Sequence, residues 1–172
     1  MNAAREGSEW AWSRLYGELA GPVLGYLRAR GAAEPEDVLG DVFLDVARGV
    51  RAFEGGLDGF RSWVFTIAHR RLIDERRARG RRPVDPVADI DLGAADDDPA
   101  ELAVGQITRD EMVALFATLS PDQRDVLLLR MLGGFTIDEI AAIVGKSGGA
   151  VKALQRRGLA ALRRVLMMAA PF

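Results

Sequence analysis

Apolar residues recur every three or four positions along most of the chain, and nowhere do they alternate at period two, so the pattern predicts helices and no strands. Leu15, Leu19, Val23 and Leu27 fall on one helical face. Gly21-Pro22, in the middle of that stretch, is expected to bend or break the helix. A second helix is expected to open at Glu34-Pro35, with proline at a tolerated first-turn position. Its inward face is Val38, Leu39, Val42, Phe43 and Val46. Arg51 to Gly59 contains Gly55, Gly56 and Gly59 and is predicted as a loop. From about Phe60 a third helix turns Phe60, Trp63, Val64, Ile67 and Ala68 inward. It then runs into a segment with almost no apolar residues, so its last turns should project as charged surface.

The second half is punctuated more sharply. Leu102 to Leu119 reads as one helix. Ser120-Pro121-Asp122-Gln123 is a capping-box start with proline at the first helical position. The helix it opens should bury Val126, Leu127, Leu129 and Met131 or Leu132, and end at Gly133-Gly134. Thr136-Ile137-Asp138-Glu139 is a second capping box. It opens a short helix on Ile137, Ile140, Ala141 and Val144 that stops at Gly145. Ser147 then caps a final helix from about Gly148 to Met168. A short helix, a turn of about four residues and a longer basic helix form a helix-turn-helix pattern. Ala141 is the small residue needed where the two helices cross, and Val151 pins the second onto the first. Lys152 and Arg156, four apart, share the outward face, with Gln155 and Arg157 beside them. In this motif the second helix enters the major groove, although a plain helical hairpin with a solvated basic face carries the same pattern.

Charge changes the picture. The net charge of −2 argues against a nucleic-acid partner only until its distribution is followed. Eight arginines lie between Arg61 and Arg82, against Asp74 and Glu75. Lys152, Arg156, Arg157, Arg163 and Arg164 form a second block without an acid among them. Between the blocks, Pro83 to Thr108 has no Lys or Arg but carries seven acids from Asp85 to Glu101. Two basic patches therefore flank an acidic strap. The strap opens on Pro83-Val84-Asp85-Pro86, which blocks helix continuation, and it is the natural boundary: a first domain at 1–82, a linker at 83–100 and a second domain at 101–172. The all-α chain is thus two small helical domains around a flexible acidic linker, with a mobile arrangement expected between them. Clustered arginines suit phosphate contacts. A helix end in solvent accounts for two or three of them through the helix dipole, not for eight.

Catalytic chemistry has little support. There is no cysteine, hence no thiol nucleophile or cysteine metal site. His69 has no partners at metal-ligand spacing and reads as a surface or phosphate-contacting residue. Asp96, Asp97 and Asp98 beside proline read as solvated linker. No phosphate loop or nucleophile elbow is present, so the chain is read as a non-enzyme without cofactors. No apolar run is long enough to cross a bilayer, and residues 1–10 have no hydrophobic signal region; the expected location is the cytoplasm.

Five ordered stretches resemble the sigma-70 family, and within it the small extracytoplasmic-function (ECF) group. They are Leu15-Tyr16 through Pro22 to Tyr26-Leu27-Arg28; Glu36 to Leu44; Phe60 to Ala68 with Asp74 and the arginines; Leu119-Ser120-Pro121 with Gln123-Arg124 and Val126 to Arg130; and Thr136 with Glu139-Ile140-Ala141 and Gly149-Ala150-Val151-Lys152. The resemblance implies a region 2-like bundle and a region 4-like helix-turn-helix that dock on core RNA polymerase and read promoter DNA. It implies that Asp37, Asp41, Phe43 and Leu44 meet the clamp coiled coil of the polymerase's largest subunit, and that the flap of the polymerase is a further contact. It implies that Phe53, Glu54, Gly55, Gly56, Leu57, Asp58 and Gly59 take a flipped base of the −10 element. Phe60, Arg61, Arg70, Arg71, Arg76 and Arg77 would follow the opened strand. Ser147, Gly149, Lys152, Gln155, Arg156 and Arg157 would meet the −35 element. The linker would run through the polymerase cleft, and an anti-sigma factor would be a further partner. No membrane insertion, no obligate homo-oligomer and no further C-terminal domain are expected. Gly40 stands where the family commonly has glutamine, Arg70 where asparagine is common, Lys146 where an apolar residue is common and Ala153 where a serine is common. The alternative is a stand-alone helix-turn-helix regulator, which would dimerise through the first half to read two half-sites.

Overall fold

The structure, a computed structural model, describes residues 2–80 and 114–169. Among these are seven helices and no strand: α1 (Asn2–Arg5), α2 (Glu9–Ala29), α3 (Pro35–Gly49), α4 (Leu57–Gly80), α5 (Pro121–Leu132), α6 (Ile137–Val144) and α7 (Gly148–Ala169). A helical turn at 114–117 precedes α5 and buries Leu115 and Phe116. The acidic strap and most of the helix expected from Leu102 lie outside the described residues.

α2 is not broken at Gly21-Pro22; Pro22 lies inside one continuous helix. An interior proline costs about 3 kcal/mol. On both sides of it, however, Leu15, Leu19, Val23, Tyr26 and Leu27 are buried. Each such side chain contributes roughly 1.5–3 kcal/mol on burial, so dividing the helix would lose more than carrying it through the proline costs. α3 opens with Pro35 in its first turn, where Glu36 and Asp37 favour the helix dipole, and it buries Val38, Leu39, Val42 and Val46. α4 begins at Leu57, three residues earlier than the pattern suggests. Asp58 stands in its first turn, and the Phe60 amide donates to the Gly56 carbonyl at 3.0 Å. Its inward residues include Phe65 and His69 besides Phe60, Val64 and Ala68, while Trp63 and Ile67 are half-buried.

Both capping boxes form. Ser120 and Gln123 exchange side-chain and backbone bonds at the start of α5, as do Thr136 and Glu139 at the start of α6. α5 buries Val126, Leu127, Leu128 and Leu129 in succession, whereas Met131 and Leu132 are exposed. It lies between α7 and α6 on one side and α2 on another, so its buried arc is wider than one stripe and its last turn protrudes. Gly145, at φ +67°, ends α6 in the left-handed conformation. The Ala150 amide donates to Ser147 Oγ at 3.2 Å, capping α7. Val151 and Leu154 are buried, and Gly158 lets α7 approach α5 so closely that a Cβ there would lie 2.9 Å from Leu127 Cδ1.

The two halves pack against each other, α4 on α6 and α2 on α5, and their buried apolar residues form one continuous cluster.

Candidate nucleic-acid and polymerase interface

Asp37, Asp41 and Leu44 are spaced to fall along one side of α3, and all three are exposed. Phe43 is half-buried, its ring 4.6 Å from that of the exposed Tyr16. Asp45, on the same helix, forms an ion pair with Arg71, and Asp41 stands 3.8 Å from that guanidinium. The result is an acidic strip with an aliphatic and aromatic edge.

The loop before α4 rests on an aromatic base. The Phe53 ring stacks on Trp63 at 5.1 Å and meets Phe60 edge-on at 5.5 Å. Phe60 is fully buried, so it supports the loop from beneath instead of facing a ligand. Glu54, Gly55, Gly56, Leu57, Asp58 and Gly59 are all exposed above it. Arg5 Nη2 donates to the Gly55 carbonyl at 3.2 Å. That contact spans 50 residues and has no signal in the local sequence.

The arginine helix is less free than its composition suggests. Arg70 and Arg77 are exposed, Arg77 with Asp74 at 3.7 Å. Arg71 donates from Nε to Asp45 at 2.7 Å. Arg61 donates to the Gly133 carbonyl at 2.9 Å and lies 5.7 Å over the Phe135 ring. Arg76 donates to the Arg30 carbonyl. His69 is buried at 6% exposure, which corrects its reading as a surface residue. Its Nδ1 lies 2.8 Å from Tyr26 Oη, and Tyr26 Oη is 2.8 Å from Asp125 Oδ1. Arg30 donates to Asp125 Oδ2 at 2.9 Å and pairs with Oδ1 as well. With Asp125 ionised against Arg30, Tyr26 must donate to the carboxylate, so His69 Nδ1 carries the hydrogen and donates to Tyr26. Burial lowers the His69 pKa and raises that of Tyr26.

In the helix-turn-helix, Lys152, Arg156 and Arg157 are exposed and Gln155 is half-buried, opposite the buried Val151 and Leu154. Gly149 is exposed with open space around it, and Ser147 serves as the α7 cap. Lys146 pairs with Asp122 at 2.9 Å, which ties the turn back to α5.

Residues 15–82 match the family described as Sigma-70 region 2, and residues 115–164 match Sigma-70, region 4. The RNA polymerase sigma factor CarQ of Myxococcus xanthus is 31% identical over 168 residues, covering 96% of this chain and 95% of CarQ. The chain belongs to the sigma-70 family. Other relatives of this sigma factor are named as ECF RNA polymerase sigma factors. BldN of Streptomyces coelicolor is 29% identical over 169 residues, 96% of this chain and 64% of BldN. SigD of Mycobacterium tuberculosis is 29% identical over 157 residues, 87% of this chain and 74% of SigD. Among solved structures, CnrH in complex with the cytosolic domain of CnrY aligns at a TM-score of 0.70 and 20% identity, over 98% of this sigma factor and 96% of that chain. RpoE in complex with the anti-sigma factor NepR from Bartonella quintana aligns at 0.74 and 21%, over 93% and 99%. These structures support the all-helical fold across both halves. The region 2 match also gives the first half an assignment other than the sensing or dimerisation domain that a stand-alone regulator would need.

Proposed function

We propose that this sigma factor acts in transcription initiation by joining core RNA polymerase, directing it to promoters and helping to open the −10 region. The acidic strip of α3, with Asp37, Asp41, Phe43 and Leu44, docks on a basic clamp surface. The exposed segment Glu54 to Gly59, a short loop running into the first turn of α4, holds an unstacked base above the Phe53–Trp63 pair. Arg70 and Arg77, joined by Arg61, Arg71 and Arg76 once their present partners release them, take the adjoining phosphates. The observation that carries the reading is the pairing of two separate basic elements in one chain, an arginine helix behind an aromatic-based loop and a helix-turn-helix with a clean outward face. Binding rather than catalysis is the activity. The acidic linker at 83–100 suits a positively charged channel in the polymerase. Two solved relatives are held by other proteins, one of them named an anti-sigma factor, and a partner of that kind is proposed here too.

Lys152 and Arg156, near the start of α7, are the residues proposed to reach −35 base edges. Arg164 lies two turns further along and is exposed; it is assigned to phosphate or polymerase. Lys152→Ala or Arg156→Ala is expected to cost about 1–3 kcal/mol of −35 discrimination, and Arg164→Ala to weaken binding evenly. Transcription by each mutant holoenzyme on promoters with an intact or scrambled −35 element measures this. Equal losses on both promoters for Lys152→Ala and Arg156→Ala would remove the assignment.

A further inference from the structure

The segment proposed to hold the unstacked base is tied to the beginning of the chain. Gly55, Gly56 and Gly59 give it more backbone freedom than any other residue type would, and a flexible receptor is ordered at a cost each time it takes a ligand. Contacts on Gly55 limit that freedom. Its backbone, at φ +152°, lies against the Phe53 ring, where a Cβ would stand 2.9 Å from Phe53 Cζ. Its carbonyl accepts from Arg5 Nη2 at 3.2 Å. Arg5 is in turn placed by local structure. α1 closes on a glycine turn: Gly7, at φ +84°, donates its amide to the Ala4 carbonyl at 3.2 Å, and the Ser8 amide donates to Ala3 at 2.9 Å. Ala4 is 1% exposed and belongs to the same apolar cluster as the inner face of α2. Ala3, Ala4, Ala11, Leu15 and Leu57 line one cleft, which brings α1, α2 and the first residue of α4 together. Arg5 stands before the residues matched to region 2, which start at residue 15.

We propose that Arg5 is a positioning residue for −10 base selection: its guanidinium fixes the Gly55 carbonyl and so holds residues 54–59 in one conformation over the Phe53 ring. The proposal rests on the functional reading of that segment given above. A guanidinium carries its N–H donors on one rigid plane at the end of a long stem. From the buried anchor at Ala4 it can therefore span to a loop 50 residues away in sequence. A hydrogen bond from a charged donor is stronger than a neutral one. Placed on a glycine-rich segment, it removes backbone states before a ligand arrives, so the base meets a surface that is already formed. The same positive charge also attracts phosphate. That attraction would strengthen binding evenly across −10 sequences, whereas a tether acts on the discrimination between bases. Arg5 is assigned to the tether because its guanidinium is engaged with the backbone of the segment itself.

Full-length Arg5→Ala and Arg5→Lys test this. In transcription with core polymerase from promoters randomised in the −10 element, Arg5→Ala should reduce the discrimination among −10 bases about fivefold. Co-purification with core polymerase and helix content should be unchanged. Arg5→Lys, which keeps the charge and a donating head group, should fall between Arg5→Ala and wild type. Hydrogen exchange of the free protein gives a second readout. The peptide covering residues 53–60 should take up deuterium about fivefold faster in Arg5→Ala than in wild type, with α3 unchanged. Equal exchange in the two proteins, or an even loss of transcription across all −10 sequences, would overturn the proposal. Replacing Glu54 to Gly59 by another sequence separates that failure from failure of the functional reading. If the replacement changes the base preference and Arg5→Ala does not, Arg5 positions nothing and the reading stands. If neither changes it, the reading of the segment falls, and the role of Arg5 in base selection falls with it.

Discussion

His69 is the single histidine of the chain, and it is buried, with its Nδ1–H donating to Tyr26. Burial lowers its pKa, with Arg30 and Arg76 acting in the same direction and Asp125 and Asp122 against it. In the unfolded chain it titrates near the usual value of about 6.5. The unfolded state therefore binds more protons than the native state as pH falls below that value, and stability rises with pH through this window. The His69 contribution is fully present above about pH 6.5 and is lost as pH falls towards the depressed native value. Urea midpoints taken between about pH 5 and 8 should fall with acid in wild type more steeply than in His69→Gln. Parallel curves for the two proteins would mean that His69 does not gate this region. The sequence concealed this role. Amid arginines His69 reads as surface, and Asp125 reads as one polar position on α5. Each becomes a core residue through partners 43 and 95 residues away, and no local pattern carries such a contact. Long-range partners also tie down Arg61, through the Gly133 carbonyl, and Arg76, through the Arg30 carbonyl, although composition alone presents both as open phosphate ligands.

At the scale of elements, the boundaries that local chemistry decides were legible. Both capping boxes, the glycine stop at Gly145 and the Ser147 cap all follow from side chains within four residues of the backbone groups they satisfy. The misread boundaries are those set by packing: α2 continues through Pro22, and the last turn of α5 emerges from the core. The inward faces of α3 and α7 were legible because each packs on one side only. Within α3, Gly40 is exposed, and a Cβ there would meet nothing within 4 Å. Its glycine is thus unexplained by packing and costs helix propensity. Gly40→Ala is expected to stabilise the protein by about 0.8–1 kcal/mol, a rise of roughly 2–4 °C in Tm for a chain of this size. Thermal unfolding followed by circular dichroism checks it; a lower Tm would mean that the position carries a constraint other than helix propensity.

At the scale of the whole molecule, the charge pattern predicts two bodies around an acidic strap, and among the described residues the two halves pack on each other. Their contact was not legible, because it depends on two surfaces that each look solvent-facing when read alone. The contact has a thermodynamic consequence. The buried apolar residues run unbroken from α2 and α4 into α5 and α6, so neither half unfolds without exposing apolar area of the other, and the protein should unfold as one cooperative unit. The three tryptophans, Trp10, Trp12 and Trp63, all lie in the first half, whereas helix content reports both halves. Urea curves from tryptophan fluorescence and from far-ultraviolet circular dichroism should therefore superimpose in wild type. Phe135 is 3% exposed and is the second half's aromatic contact with Phe65. Removing a buried phenylalanine ring costs about 3–5 kcal/mol, and here part of that loss falls on the contact between halves. In Phe135→Ala the ellipticity should divide into two steps, only one of which coincides with the fluorescence change. Curves already separate in the wild-type protein would mean that the halves unfold independently and that their packing contributes no measurable coupling. A single shared transition retained in Phe135→Ala would place the coupling in the Asp125 cluster rather than in this aromatic contact.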